Sequence, residues 1–234
     1  MSPRRCFLIA GALLAITLAA PAHAAESAGV HTLYLVRHGM ADSAKGADDK
    51  TANALTALGR EQAALVALRL AALPVKFNSV VSSEFTRARE TGDIIAAKLG
   101  TTCQRDALLN ETVPAGVGLN VVLLPPIPGA EAQLDAAWAR YSKPAPGAPQ
   151  NDLLVCHGNV IRWFVCRALC ADPSRYTRMA LANASLTIIT VNADGTTQLM
   201  LLSDTSHVPF AKQTWPNANN APFWPAPAAA QANE

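Results

Sequence analysis

The stretch Leu-Tyr-Leu-Val-Arg-His-Gly, residues 33 to 39, decides how the rest of the chain is interpreted. Its first four residues are apolar, with one aromatic and one β-branched side chain, which predicts a buried strand from the middle of an α/β sheet. That strand runs directly into Arg37, His38 and Gly39. Since ligands bind at the carboxyl ends of strands in open α/β sheets, a cation and an imidazole are placed at a candidate anion site. A structural histidine beside an unrelated arginine is the competing interpretation of so short a match.

The rest of the chain alternates between helical and strand patterns, which predicts an α/β fold. The segment from 112 to 129 has no clear period and is predicted to be a long loop over the active face. The predicted elements are a helix from N-cap Thr56 to a point before Pro74, a short strand within Phe77 to Ser83, a helix from Glu84 to Leu99, a strand from Thr101 to Gln104, a helix from Ala130 to Tyr141, a strand from Asp152 to Cys156, a helix from Val160 to Leu169, and a hairpin of Ser185–Asn192 with Gln198–Leu202 around a type I′-like Asp-Gly turn.

The first 24 residues have the pattern of a removed signal peptide. Arg4 and Arg5 precede an apolar run from residue 7 to 18, and Ala22-His23-Ala24 has the small-x-small form of a cleavage site. An uncleaved membrane anchor is the alternative, but the run is shorter than the ~20 residues a spanning helix needs. We therefore expect a periplasmic or secreted protein with no membrane attachment after cleavage, a domain from 25 to 212 and a disordered Pro/Ala/Asn-rich tail from 213 to 234.

Charge excludes several classes of partner. The chain has 19 Lys and Arg against 17 Asp and Glu, and loss of Arg4 and Arg5 leaves 17 of each. Without a basic excess, binding to nucleic acid or to an anionic membrane surface is not expected. Any cationic site must be local.

Four cysteines remain after cleavage, which permits three disulfide connectivities and selects none of them. No pair of cysteines has the spacing of a zinc site, so no metal is expected. The four are Cys103, Cys156, Cys166 and Cys170.

A second apolar strand ends as the first one does. Residues 152 to 156 run into His157, Gly158 and Asn159, and a helix follows. The start of a helix offers free backbone N–H groups and a positive dipole end, which suit a phosphate. Two strands from opposite halves of the chain thus each end in His-Gly, and this makes two unrelated structural histidines a weaker explanation.

Arg87 adds a further cation near a strand end, in the first turn of the helix predicted from Glu84. Two solvated helix arginines, Arg87 and Arg89, are the alternative. A phosphoryl group is bound by guanidinium forks and further donors. One imidazole can attack phosphorus and form a phosphohistidine if its other ring nitrogen is held as a donor. A buried carboxyl such as Glu111 can protonate the leaving oxygen and then activate water.

Several motifs together resemble the histidine phosphatase, or phosphoglycerate-mutase-like, superfamily, in the family's order and over nearly all of the predicted mature chain. These motifs are Leu-Val-Arg-His-Gly at 35–39, Leu-Thr-x-x-Gly-x-x-Gln-Ala at 55–63, Ser-Ser-x-x-x-Arg-Ala-x-x-Thr at 82–91, Leu-Asn-Glu at 109–111 and Cys-His-Gly-Asn-Val-Ile-Arg at 156–162. Within the superfamily, residues 160–169, 183–185 and 203–209 look most like the mitochondrial serine/threonine protein phosphatases of this type. The resemblance implies a three-layer α/β/α sandwich around a mostly parallel mixed sheet.

The resemblance also implies roles for individual residues. His38 is the phosphorylated nucleophile, Arg37, Arg87 and His157 bind the phosphate, and Glu111 is the proton donor. Gly39, Gly158 and Asn159 are expected to supply backbone to the phosphate pocket. His207 is expected either at the pocket edge or in a structural role. Asp42 and Glu131 are the alternatives to Glu111.

Departures from the family narrow the expected activity. Met40 replaces the Glu or Gln that follows Arg-His-Gly in many relatives, and residues 41 to 45 lack the Trp-Asn of mutases, so mutase activity is not expected. We expect a phosphomonoesterase that needs no metal or organic cofactor and acts on a phosphoprotein or on a small phosphorylated metabolite or envelope sugar. A catalytically silent phosphate-binding or scaffold protein is the alternative, and the oligomeric state is left open.

Overall fold

A computed structural model describes residues 29–42, 48–114 and 126–215. The predicted signal peptide lies outside these ranges, as do the tail beyond residue 215 and residues 115–125 of the predicted long loop. The start of the predicted tail is packed against the domain, because Thr214 is buried and its carbonyl accepts the N–H of Asn183 at 2.9 Å. The folded part therefore continues at least to residue 215.

Strands and helices alternate through the described chain, as the sequence predicts. They are β1 (His31–Arg37), α1 (Ala57–Ala71), β2 (Ser79–Ser82), α2 (Thr86–Leu99), β3 (Gln104–Arg105), α3 (Ala130–Tyr141), β4 (Gln150–Cys156), α4 (Gly158–Ala168), β5 (Leu186–Val191) and β6 (Thr197–Asp204).

The strands form one mixed sheet in the order β3-β2-β4-β1-β5-β6. β3, β2, β4 and β1 are parallel to one another, β5 runs antiparallel to β1, and β6 runs antiparallel to β5. β1 lies between β4 and β5 in the interior of the sheet, and helices cover both of its faces, which explains its continuous run of apolar residues. The predicted mostly parallel mixed sheet is confirmed.

Helices cover both faces of the sheet. Leu33 and Leu35 of β1 point to the face packed against α3 and α4, where Leu134 and Phe164 are fully buried. The intervening residues of β1 point to the other face, where α1 and α2 contribute Val66, Leu70 and Ile95. This alternation is the period of two expected for a strand, and the predicted three-layer α/β/α sandwich is confirmed.

The helix after β2 begins two residues later than predicted. The N–H of Ser83 donates to Val155 O at 2.9 Å, which continues the pairing of β2 with β4, and Phe85 is still extended. The predicted C-terminus is confirmed, since Gly100 has a left-handed φ of 67° at the C-cap of α2.

The hairpin of β5 and β6 is also confirmed, but its turn is of another type. The N–H of Asn192 donates to Thr196 O at 2.8 Å and that of Gly195 to Asn192 O at 2.9 Å. Among the described loop residues Ala193, Asp194 and Gly195, the glycine alone has a positive φ, of 83°. A type I′ turn needs positive φ at both central residues, so this loop is a type I turn followed by a left-handed glycine.

The four cysteines at positions 103, 156, 166 and 170 are free thiols. Within the described ranges, no helix combines the length and the hydropathy needed to cross a membrane.

Candidate active site

Two parallel strands bring the two His-Gly sequences together. Arg37, the last residue of β1, is in register with Cys156, the last residue of β4, so His38 and His157 follow at neighbouring positions. Their ring centroids are 5.1 Å apart, and the two residues are only 6% and 0% exposed. The structure therefore places both predicted imidazoles in one buried site at the carboxyl edge of the sheet.

His38 has one ring nitrogen engaged and one directed elsewhere. Its Nδ1 lies 2.7 Å from the carbonyl oxygen of Gly39, which can only accept, so Nδ1 carries the proton and Nε2 carries the lone pair. Burial, together with the positive charges of Arg37 and Arg87, holds the pKa of His38 well below its ordinary value. At neutral pH the imidazole is uncharged and its Nε2 is nucleophilic.

The turn that carries His38 is fixed by a close backbone contact with the start of α1. A Cβ on Gly39 would lie 2.4 Å from Gly59 O, and a Cβ on Gly59 would lie 1.9 Å from Met40 O. Thr56 caps α1 through Gly59 N and also donates from its N–H to Met40 O at 3.0 Å. The Leu-Thr-x-x-Gly motif thus lets α1 approach the turn that carries His38.

Asn183 and Ala184 hold the carbonyl of His38 from the other side. Asn183 Nδ2 and Ala184 N donate to His38 O at 3.1 Å and 3.2 Å. His207 Nε2 lies 2.9 Å from Ala184 O, so its described contact is with this supporting turn. Of the two roles expected for His207, the structure shows the structural contact.

His157 is held by a different partner and through its other nitrogen. Its Nε2 lies 2.8 Å from Ser83 Oγ, while its Nδ1 is buried with no hydrogen-bond partner among the described residues. Burial, with His38, Arg87 and Arg37 nearby, holds the pKa of His157 well below its ordinary value. Both imidazoles of the site are therefore neutral at pH 7.

Arg37 and Arg87 lie close to both histidines, and a third arginine lies beside Arg37. Arg37 donates from NH1 to Leu181 O at 2.7 Å, and its buried Nε has no partner among the described residues. Arg87 pairs with Asp49 and lies over the Phe85 ring, 5.4 Å from its centroid. Burial lowers the pKa of Arg37 to about 10, which leaves it cationic at neutral pH.

Arg162 of α4 is the third cation, and sequence reasoning did not assign it to the site. It donates from Nε to Met179 O at 2.8 Å and from NH1 to Asn159 Oδ1 at 3.1 Å. Gly158 lies beneath both guanidinium groups, since a Cβ there would be 3.7 Å from Arg37 Nε and 3.8 Å from Arg162 NH1. The spacing of four residues from Gly158 on a helix is the signal that would have found Arg162.

Glu111 is the carboxyl among these cations. Burial raises the pKa of Glu111, and the positive charges of Arg87, Arg37 and Arg162 pull it back in part. The backbone N–H of Asn159 donates to Glu111 Oε1 at 3.3 Å, so the start of α4 holds this carboxylate. Of the alternatives, Asp42 is exposed and Glu131 lies in the first turn of α3.

Ser83, Thr91 and Asn110 are supporting residues that carried no assigned role. Ser83 contacts His157, and Asn110 Oδ1 accepts from Ser83 Oγ at 2.8 Å. Thr91 Oγ1 accepts the N–H of Gly39 at 3.1 Å and donates to Arg87 O at 2.7 Å. Their positions within the Ser-Ser-x-x-x-Arg-Ala-x-x-Thr and Leu-Asn-Glu motifs were the available signal.

The arrangement suits a tetrahedral oxyanion. Three guanidinium groups can bind its oxygens, one neutral imidazole can attack its centre, and a carboxyl with a raised pKa can move a proton. Among the described residues, no group of three or more His, Cys, Asp or Glu side chains is placed to hold a metal ion.

Comparison with known proteins identifies a family with this arrangement. The model of the histidine phosphatase superfamily (branch 1) matches residues 33–114 and 132–205. The rat serine/threonine-protein phosphatase PGAM5, mitochondrial, is 37% identical over 196 residues, which are 78% of this chain and 65% of the relative. The chain thus spans about two thirds of the length of that relative.

Solved structures share the fold. A phosphoglycerate mutase from Plasmodium falciparum is 27% identical with a TM-score of 0.54, covering 78% of this chain and 96% of the mutase. A mycobacterial glucosyl-3-phosphoglycerate phosphatase is 19% identical with a TM-score of 0.52, covering 75% of this chain and 100% of that protein. The second likeness concerns the fold alone.

The prediction of a periplasmic or secreted location is wrong by this comparison, because the similar curated phosphatases are named mitochondrial. The basic and apolar start of the chain, from which the signal peptide was predicted, is not specific to one targeting pathway. A start that contains Arg4 and Arg5, is rich in small residues and has no acidic residue before Glu26 also has features of an organelle-targeting segment.

Proposed function

Because the chain belongs to the histidine phosphatase superfamily, we propose that it is a phosphatase that hydrolyses phosphate monoesters through a phosphohistidine on His38. The observation that carries the proposal is the state of the His38 ring. Its Nδ1 proton is committed to Gly39 O at 2.7 Å, and the lone pair on Nε2 remains for attack. The resemblance of motifs and the geometry of the neighbouring cations support the same mechanism.

The first step is binding of the phosphoryl group. Arg37, Arg87 and Arg162 supply positive charge from three different elements, so the oxygens of the ester are held from several sides. Arg87 exchanges part of its contact with Asp49 for the phosphoryl oxygens. No metal ion takes part in this step, since the three guanidinium groups neutralise the negative charge of the phosphoryl oxygens.

The second step transfers the phosphoryl group. His38 Nε2 forms a bond to phosphorus while the bond from phosphorus to the ester oxygen breaks. Glu111, whose pKa is raised by burial, acts as the acid and gives a proton to the departing oxygen. The products of this step are an alcohol and phosphohistidine.

The third step releases phosphate. Glu111, now a carboxylate, takes a proton from water as the water oxygen attacks phosphorus. The bond from phosphorus to His38 Nε2 breaks, and the site returns to its starting protonation state. Glu111 thus acts as acid in one half-reaction and base in the other.

For the substrate we propose a protein phosphorylated on serine or threonine. The relatives with 31–37% identity over 75–79% of this chain are named serine/threonine-protein phosphatases, whereas the sugar phosphatase shares 19%. Alkyl oxygens such as those of serine and threonine are poor leaving groups, so this substrate class depends on the acid Glu111.

The test is the activity of the purified full chain on phosphoserine and phosphothreonine peptides, sugar phosphates and an aryl phosphate, with His38→Ala alongside. We expect hydrolysis of the phosphopeptides and the aryl phosphate, and loss of both in the variant. Retained activity in His38→Ala would contradict the phosphohistidine mechanism. Activity confined to sugar phosphates would replace the substrate class, and phosphate binding without turnover would establish a silent binding protein.

A further inference from the structure

We propose that Asn110 is a positioning residue that acts through Ser83 and determines which ring nitrogen of His157 carries the proton. The proton of neutral His157 is held on Nε2. When a phosphate-like dianion binds, His157 takes up a second proton at Nδ1. The proposal rests on the proposed function in treating this pocket as a phosphate site. Its test uses spectroscopy and binding, so its failure is separate from a failure of turnover.

The side-chain amide of Asn110 has a determined orientation. Its Oδ1 lies 2.9 Å from the backbone nitrogen of Glu84, which can only donate, and its Nδ2 lies 3.3 Å from Glu84 Oε2, which accepts. Rotating the amide by half a turn would place donor against donor and acceptor against carboxylate. Oδ1 is therefore the atom that lies 2.8 Å from Ser83 Oγ.

All the hydrogen-bonding positions of the Ser83 hydroxyl are then assigned. Its single hydrogen is donated to Asn110 Oδ1, because that oxygen can only accept. Its oxygen accepts the backbone N–H of Phe85 at 3.1 Å and faces His157 Nε2 at 2.8 Å. The hydroxyl has no second hydrogen to give, so His157 Nε2 must be the donor in that contact.

Neutral His157 therefore has its proton on Nε2 and a lone pair on Nδ1. That Nδ1 is buried and has no partner among the described residues, in a pocket shared with the His38 ring. The titratable neighbour of His157 is His38, and the charged groups that face it are Arg87 from α2 and Arg37 from β1; all three disfavour its protonation. Glu111 is the acidic group of the same pocket.

Ligand binding reverses this balance. A lone pair cannot donate to a phosphoryl oxygen, and a doubly charged anion in the pocket stabilises a neighbouring cation. His157 then gains a proton from solvent at Nδ1 and donates it as a hydrogen bond to the anion, while Nε2 stays bonded to Ser83. The site thus binds one proton together with each dianion.

Sulfate is a suitable probe because it stays a dianion across the neutral pH range, so a proton taken up on binding must go to the protein. The full chain is labelled with ¹⁵N-histidine, and long-range proton–nitrogen correlation spectra report which ring nitrogens are protonated. Signals of His157 are assigned by their loss in His157→Gln. We expect Nε2–H and unprotonated Nδ1 without ligand, and protonation of both nitrogens with sulfate.

Two results in the spectra would overturn the proposal, apart from a failure to bind sulfate. One is a proton on Nδ1 of His157 in the ligand-free protein. The other is a sulfate complex in which the added proton resides on His38 and His157 stays neutral. Absence of sulfate binding would also contradict the coupled uptake.

Variants of Asn110 test the positioning role directly. Asn110→Leu frees the Ser83 hydroxyl to donate to His157 Nε2, so the proton should move to Nδ1. Asn110→Asp is made together with Glu84→Gln, so that the second oxygen of the new carboxylate meets an amide in place of a carboxylate and the net charge is unchanged. This double variant keeps an oxygen that accepts from Ser83 and should keep the wild-type pattern. Calorimetry in buffers of different ionisation enthalpy should count about one proton per sulfate in the wild type and in the double variant, and clearly fewer in Asn110→Leu.

The affinity for sulfate provides a second readout. Between the free and the bound pKa of His157, affinity in the wild type should fall by up to about tenfold for each unit of rising pH, and the dependence should flatten in Asn110→Leu. An unchanged slope in that variant would overturn the role of Asn110. Turnover assayed in parallel judges the phosphatase proposal alone.

Discussion

The carboxyl ends of β1 and β4 carry the same dipeptide, His-Gly, but hold their imidazoles in opposite ways. His38 is bonded through Nδ1 to a carbonyl of its own turn at 2.7 Å, which leaves Nε2 for chemistry. His157 is bonded through Nε2 to Ser83 at 2.8 Å, which leaves Nδ1 buried without a partner among the described residues. The partner atom, and not the motif, therefore decides which nitrogen each histidine presents.

The different hydrogen-bond partners also determine how firmly the tautomer of each histidine is fixed. A carbonyl acceptor enforces the tautomer with a nucleophilic Nε2, since the carbonyl cannot donate. A serine hydroxyl can donate or accept, so the state of His157 depends on what else the serine contacts. The tautomer of His38 is thus fixed by the local backbone, and the tautomer of His157 is fixed by a hydrogen-bond network that reaches to residue 110.

Replacing the two histidines should give the largest effects, and unequal ones. His38→Ala removes the attacking atom and should lower kcat for an aryl phosphate by about a thousandfold or more. His157→Ala removes a phosphate contact and should lower kcat by about a hundredfold while a phosphoenzyme still forms. Steady-state kinetics and rapid-quench measurements compare the variants, with urea unfolding to confirm that both are folded. Equal losses and no phosphoenzyme in either variant would remove the distinction between the two strand ends.

The second prediction concerns Glu111, the proposed acid in the step in which His38 attacks. It tests whether the leaving oxygen is protonated as the attacking nitrogen bonds to phosphorus. Glu111→Gln should slow phosphopeptide hydrolysis by about 10²–10⁴-fold and aryl phosphate hydrolysis far less, since an aryl oxide leaves without a proton. The matched control is Glu131→Gln, which should change neither rate by much. A selective loss in Glu131→Gln instead would transfer the role to that residue.

Two arginines on α2 provide a smaller, paired test. Arg87 contributes to the low pKa of both histidines, whereas Arg89 is not among the groups that do so. Arg87→Ala should raise KM for an aryl phosphate by about 10–100-fold, as expected for a lost charge-assisted contact. Arg89→Ala should leave KM within about twofold. Similar effects of both substitutions would support the interpretation of two solvated helix arginines.

The smallest effect should be on acid stability. Since the folded state lowers the pKa of His157 below the unfolded value of about 6.5, the unfolded chain binds the extra proton below that pH. The free energy of unfolding therefore falls as pH drops below about 6.5, and His157→Gln should make this fall shallower by up to about 1.4 kcal/mol per pH unit. Urea titrations between pH 5 and 7, roughly the window of an unperturbed histidine, measure it. An identical pH dependence in the variant would show that His157 is not neutral in the folded protein.

The sequence predicted the two strand ends because each combines a continuous apolar run with polar residues at its end. Residues 33–36 and 153–156 are buried on both faces, so composition alone identifies central strands. The two strand ends are adjacent because β1 and β4 pair in parallel and in register, and no local sequence pattern predicts this pairing. The helix from Ala130 to Tyr141 was predicted at its observed bounds.

The supporting network was beyond sequence reasoning because its contacts join distant segments. Ser83 and Asn110 meet only when β2 and the short 3-10 helix at Ala107–Leu109 come together, and neither residue stands out in a periodic pattern. The start of α2 was misplaced for a related reason, since Ser83 serves the sheet and His157 before the helix begins. The location was misjudged because a basic, apolar start is common to several targeting signals.

The most direct test of the account is the site of phosphorylation in the trapped enzyme. The full chain is mixed with a slowly hydrolysed substrate and quenched in base, in which phosphohistidine survives, and peptides are then sequenced by mass spectrometry. The account predicts phosphate on the peptide containing His38, and its absence from His38→Ala. Phosphate on His157 would contradict the account. Turnover of the substrate with no phosphorylated histidine in the quenched enzyme would also contradict it.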